Sequence, residues 1–137
     1  MRLVKAGFSL CLLSLVVSCQ VGQSATNSEK LKSDDFHIVQ LGQKDVSKGS
    51  LDLSISSKDA KIYGFGGCNN YRFNYAITDG RINLGHGVST KKYCAEQMEN
   101  ENLLFQLASR ISTFEQTEKE IIFENDKGET LIKAQKQ

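Results

Sequence analysis

The sequence predicts an α+β domain: a small curved antiparallel β-sheet or partial barrel with one covering helix. Three observations carry this. Alternating apolar and polar residues recur both early and late in the chain. One segment between those runs has helical spacing instead. Turn-forming residues punctuate the alternating runs at short intervals, which suits hairpins rather than long crossovers.

Phe36-His37-Ile38-Val39-Gln40-Leu41 reads as the opening strand. Leu51, Leu53 and Ile55 alternate with Asp52, Ser54 and Ser56, a period of two, between a Lys48-Gly49 turn and a Ser57-Lys58-Asp59 turn. Lys61-Ile62-Tyr63 begins a strand that runs into Gly64-Phe65-Gly66-Gly67-Cys68. A phosphate cradle would need a helix after those glycines. The next segment instead alternates Tyr71, Phe73 and Tyr75 with Arg72 and Asn74, so the glycines predict positive φ, a bulge or close backbone packing. Asp79-Gly80 centres a hairpin turn, with Arg81–Leu84 as the return strand. Gly85–Thr90 reads as irregular, with Ser89 or Thr90 available to cap a helix. From Cys94 the period changes. Met98, Glu101-Asn102, Leu104-Phe105, Ala108 and Ile111 share one helical face, widened by Leu103 and Leu107. Glu96, Glu99 and Glu101 read as a solvated, dipole-matched start of that helix. Thr113–Gln116, Glu120–Glu124 and Glu129–Ala134 are closing strands, the last two joined by a turn at Asn125–Gly128.

The chain has 137 residues, 17 Lys+Arg against 16 Asp+Glu, and a net charge of +1. That length supports one domain. The charge balance speaks against a nucleic-acid partner, whose basic excess would be large. With 39% hydrophobic and 24% charged residues the chain has the composition of an ordinary folded domain rather than of a disordered or membrane-spanning one.

The N-terminus reads as an address. Arg2 and Lys5 precede an uncharged run, Ala6–Val17, far short of the ~20 residues a bilayer span needs. The exit Leu15-Val16-Val17-Ser18-Cys19 resembles a bacterial lipobox. This predicts residues 1–18 as a lipoprotein signal peptide, 19–35 as a lipidated Cys19 and flexible tether, and 36–137 as the domain. Cleavage at Cys19, rather than nearer Ser24-Ala25, leaves 15 basic groups against 16 acidic ones, since Arg2 and Lys5 depart. The membrane partner is then engaged through acyl chains, at ~0.8 kcal/mol per buried methylene. Gln20 after the Cys fits sorting to a Gram-negative outer membrane, facing the periplasm.

Of four cysteines, Cys11 leaves with the signal and Cys19 takes the lipid. Cys68 and Cys94 remain in an oxidising compartment. A disulfide is the economical pairing and would close a loop of about 26 residues. Free thiols are one alternative. A zinc site using His37, Cys68, His86 and Cys94 is another, although no paired-ligand spacing supports it and no metal is expected.

No catalytic group stands out. A Ser89/His86/Asp79 hydrolase can be written down without any GxSxG elbow to support it. Carboxylates on one helix start do not make a glycosidase pair. Tyr63, Tyr71, Tyr75 and Tyr93 could line a ligand groove but read first as core. The expectation is a protein without enzymatic activity or cofactor.

Gly67-Cys68-Asn69, Tyr75, Asp79-Gly80, Ser89-Thr90-Lys91, Cys94 and Met98-Glu99-Asn100-Glu101 form an ordered series. It resembles the META domain family, with its HslJ-like heat-shock lipoproteins, over about Phe36–Ala134. The family-motif residues are Gly67, Cys68, Asn69, Thr90, Cys94, Met98 and Glu101. Phe36, Phe73 and Lys92-Tyr93 depart from the family pattern. The resemblance implies a curved sheet covered by a helix, pairing of Cys68 with Cys94, and no catalytic residues. It also implies links to envelope stress or antibiotic tolerance through contacts with an unknown envelope protein. The alternative is a binding module for an apolar or lipid ligand between helix and sheet, lined by Tyr71, Phe73, Phe105 and Leu107.

Overall fold

Alternation of inward apolar and outward polar side chains builds strand after strand in the computed structural model, which describes residues 30–137. The signal segment and Cys19 lie outside the described residues. The strands are β1 (Asp34–Leu41), β2 (Lys44–Asp45), β3 (Asp52–Ser56), β4 (Lys61–Phe65), β5 (Asn70–Thr78), β6 (Arg81–Leu84) and β7 (Val88–Ser89). After the helix α1 (Met98–Ala108) come β8 (Thr113–Gln116), β9 (Glu120–Glu124) and β10 (Thr130–Lys136). All pair antiparallel in the order β6-β5-β4-β3-β1-β10-β9-β8, with β2 beside β1 and β7 beside β5. The first and last strands of that path approach each other, where the Ile82 N–H donates to the Ser112 carbonyl at 3.0 Å. The sheet is therefore a nearly closed barrel.

Curvature comes from two bulges. Phe36 and Ile38 point inward, yet so does Leu41, which breaks the period of two. The pairing with β10 slips between Ile38 and Gln40, so Val39 is the extra residue that resets the parity. On β10 the slip falls between Thr130 and Ile132, and the consecutive residues Leu131 and Ile132 are both buried. The Asp79-Gly80 turn has φ of 51° and 72°, both positive, as a two-residue hairpin whose twist matches its strands requires.

The two barrel ends are covered differently. At one end α1 lowers Leu104, Leu107 and Ala108 into the core. Three expectations for this segment are corrected. The helix begins at Met98 rather than near Cys94, Gln97 occupies the cap position, and no side chain caps it. Ser89 and Thr90 are therefore not caps, and Ser89 belongs to β7, opposite Tyr71. Glu101 is not solvated; it is buried at 7% exposure.

At the other end the chain before Phe36 is part of the fold. Leu31 is 2% exposed, beside Ser57, Ala60, Tyr75 and Ile77. Its neighbour Lys32 is tied to β8 twice: its N–H donates to Gln116 Oε1 at 2.8 Å, and Gln116 Nε2 donates to its carbonyl at 3.0 Å. The folded unit thus includes Leu31 and Lys32, which the sequence assigns to the segment before the domain.

Candidate functional site

Cys68, Asn69, Thr90, Cys94 and Glu101 of the ordered motif series meet at the helix-covered end, where β4 turns into β5, whereas Tyr75 and Asp79-Gly80 lie further along β5 and in its turn. Gly66-Gly67 makes the turn, Gly67 at φ 95°, a conformation in which a side chain is strained. A Cβ on Gly66 would stand 3.3 Å from Glu101 Cγ. The absence of side chains here lets α1 settle directly onto the turn.

Asn69 is the hub. It is 3% exposed, and its side-chain amide is fully engaged. Oδ1 accepts from Thr90 Oγ1 at 2.9 Å and from the Lys92 N–H at 2.7 Å. Nδ2 donates to the Lys92 carbonyl at 3.1 Å and to Glu101 Oε2 at 3.0 Å. The Asn69 backbone N–H also donates to Glu101 Oε2 at 3.0 Å. Thr90 continues the network, because its Oγ1 accepts from the Asn70 N–H at 3.2 Å. One amide therefore fastens the strand start, the 90–92 segment and α1. A buried carboxylate is tolerated because its oxygens receive these hydrogen bonds.

Beside this hub Cys68 and Cys94 form a disulfide, with S–S 2.06 Å and Cα–Cα 5.8 Å. As a disulfide they offer no thiolate to a metal. Among the described residues no group of three or more His, Cys, Asp and Glu is placed to hold one.

Aromatic rings of the protein itself pack between helix and sheet, and Phe73 and Phe105 also line an open pocket of about 510 Å³ with Leu84 and His86. Tyr71, Phe73 and Phe105 meet edge or tilted, with centroids 5.7 Å apart for Tyr71–Phe73, 6.4 Å for Tyr71–Phe105 and 5.1 Å for Phe73–Phe105. Tyr71 Oη donates to the Asp52 carbonyl at 2.8 Å. Burial pushes its phenol well above the ordinary range, so it remains a donor. Leu107 is buried with them. Gly87 lies directly against this packing: a Cβ there would fall 2.2 Å from Phe73 Cε1 and 2.5 Å from Phe105 Cε1. Phe73 is accommodated by that glycine.

The hydrolase trio is not assembled. Asp79 sits in the turn after β5, whereas Ser89 pairs with Tyr71, eight residues back along the strand and about 26 Å away. His86 is exposed in the loop between β6 and β7. His37 is half-buried, with Nε2 3.0 Å from the Ser47 carbonyl. Sequence reasoning placed Thr90 and Glu101 in the motif without their roles. The signal for Glu101 was its spacing, three residues from Met98 and three from Leu104, which puts it on the inward face.

Together these features define a class: a small disulfide-locked β-barrel in which buried polar residues fasten a helix over one end. The META domain model matches residues 29–137. The chain belongs to the META domain family. Its fold is similar to that of a protein from Burkholderia xenovorans solved by NMR, with TM-score 0.54, 19% identity, and coverage of 75% of this chain and 78% of that one. A second NMR structure is similar at TM-score 0.55 and 17% identity, covering 74% of this chain and 87% of the other. No curated protein matches the chain.

Proposed function

We propose that the chain is a non-enzymatic, HslJ-like envelope lipoprotein, held to the outer membrane by acyl chains on Cys19, facing the periplasm. It acts through protein contacts in envelope stress or antibiotic tolerance. The observation that carries this reading is the saturation of the motif residues. Asn69 uses both amide atoms on internal partners, Thr90 Oγ1 both donates and accepts within the network, and Glu101 is buried against Asn69. A catalytic centre needs polar groups left free for substrate; here they hold the fold. The Cys68–Cys94 disulfide supports export to an oxidising compartment. Tyr71 and Leu107 are buried in the core and do not line the pocket beside Phe73 and Phe105, which favours this reading over an apolar-ligand module.

Fractionation tests the location. Wild-type protein should sediment with outer membranes after a high-salt wash, and Cys19→Ser should not. Equal sedimentation of both would remove the anchor. Esterase, peptidase and glycosidase screens on wild type and His86→Ala test the absence of chemistry, and turnover lost in the variant would reverse that part.

A further inference from the structure

Among the described residues the exposed large hydrophobic side chains are Tyr63 at 45%, Val88 at 52% and Tyr93 at 84%. Two of them, Tyr63 and Val88, share a face. Tyr63 is paired with Arg72 across β4–β5, and Arg72 with Val88 across β5–β7. Directly paired residues share a face, so Tyr63, Arg72 and Val88 stand side by side on the outside of the barrel. Their chain neighbours Ile62, Tyr71 and Phe73 fill the inside. Tyr93 ends the exposed run Lys91-Lys92-Tyr93, which Asn69 holds at the start of β5 through the Lys92 backbone. The ion pairs of the described residues involve Lys44, Arg110, Lys133 and Lys136, and none involves Arg72, Lys91 or Lys92.

We propose that this face, Tyr63, Arg72 and Val88 with the Lys91-Lys92-Tyr93 segment, docks the domain onto a bilayer surface carrying anionic phosphate headgroups. The chemistry matches an interface. Tyrosine has an apolar body and a polar tip suited to headgroup depth, and lysine and arginine bury their stems while their charges stay wet. Geometry adds a reason to choose a membrane over an acidic protein, and it rests on the Cys19 anchor proposed above. Residues 19–29 reach at most about 40 Å. The chain enters the fold at Lys30 and Leu31, beside Tyr75 and Ile77 on β5. From there β5 runs about 17–23 Å to Asn70. The whole face lies within reach of the surface to which the tether is fixed. The mature chain is near neutral as a whole, so the attraction is local and salt-sensitive.

Vesicle sedimentation of residues 20–137, which contain every described residue of the fold and no acyl chain, tests this independently of Cys19 modification. Binding at low salt is expected to vesicles containing phosphatidylglycerol and not to pure phosphatidylcholine, and to fall as salt rises. Arg72→Gln/Lys91→Gln/Lys92→Gln should weaken it roughly 100-fold. Tyr93→Ser should weaken it without changing the salt dependence. Unchanged circular dichroism and melting of the variants show that the fold is kept. Absent binding, equal binding to both vesicle types, or full binding by the triple variant would overturn the proposal. Absent binding would leave the face to an acidic protein.

Discussion

Asn69 and Glu101, 32 residues apart in the chain, share a buried contact in which the amide and the backbone N–H of one both donate to the carboxylate of the other. No cation accompanies the carboxylate among its hydrogen-bond partners in the described residues, so its burial depends on those donors. Asn69→Ala should destabilise the protein by about 3 kcal/mol, because it removes charge-assisted bonds and leaves Glu101 under-satisfied. Glu101→Gln should cost a similar amount, since the new amide must turn its own donors away from two donors of Asn69. Urea unfolding of both singles and the double variant checks this. A coupling energy near zero would mean the contact does not hold the helix.

The disulfide acts on the same junction from the covalent side. Cys68→Ser/Cys94→Ser should lower the melting midpoint by several degrees, since a closed loop of this length is worth about 3–4 kcal/mol in the chain-entropy model. The variant should keep its strand-rich circular dichroism, because the hydrophobic pattern rather than the crosslink selects the fold. A midpoint unchanged within a degree would contradict this.

Leu31 closes the opposite end of the barrel. Leu31→Ala should cost about 2–5 kcal/mol, as for other buried leucines that leave a cavity. Removing residues up to 33 should destabilise as much, with the Lys32–Gln116 bonds lost too. Thermal melts of the two variants decide it, and wild-type stability in either would return this segment to the tether.

Most strands were legible because their period of two is long enough to see. The strands β2 and β7, two residues each, carry no period, and their pairing is decided by neighbours rather than by local sequence. Leu31 was illegible for a related reason: one apolar residue in a polar stretch shows its role only once the barrel end exists to receive it. The site was half legible. The motif residues can be named from sequence, but the charge of Glu101 points to the surface while its helical spacing places it on the inner face. That Thr90 serves Asn69 rather than a helix start depends on a contact across 21 residues.

Lys136 Nζ donates to Asp34 Oδ2 at 2.8 Å, and this bond holds the Asp34 carboxyl below its ordinary value of 3.8. A carboxyl depressed in the folded state stabilises the fold above the unfolded value and loses that contribution as pH falls through the folded one. Because the pair lies at the surface, half-exposed on the Lys136 side, the effect is at most about 1 kcal/mol. In Lys136→Gln the Asp34 titration should move up toward 3.8 by carboxyl-detected NMR, with a smaller stability loss between neutral and acid pH than wild type. An unmoved titration would show that the bond does not govern it.

Intact mass of the membrane-extracted protein, alkylated without prior reduction, bears most directly on whether this META domain protein is an exported, acylated lipoprotein. The expected species begins at Cys19, exceeds its polypeptide mass by the added acyl groups, and carries no alkyl group on Cys68 or Cys94. An unacylated chain beginning elsewhere, or one with both thiols alkylated, would contradict it.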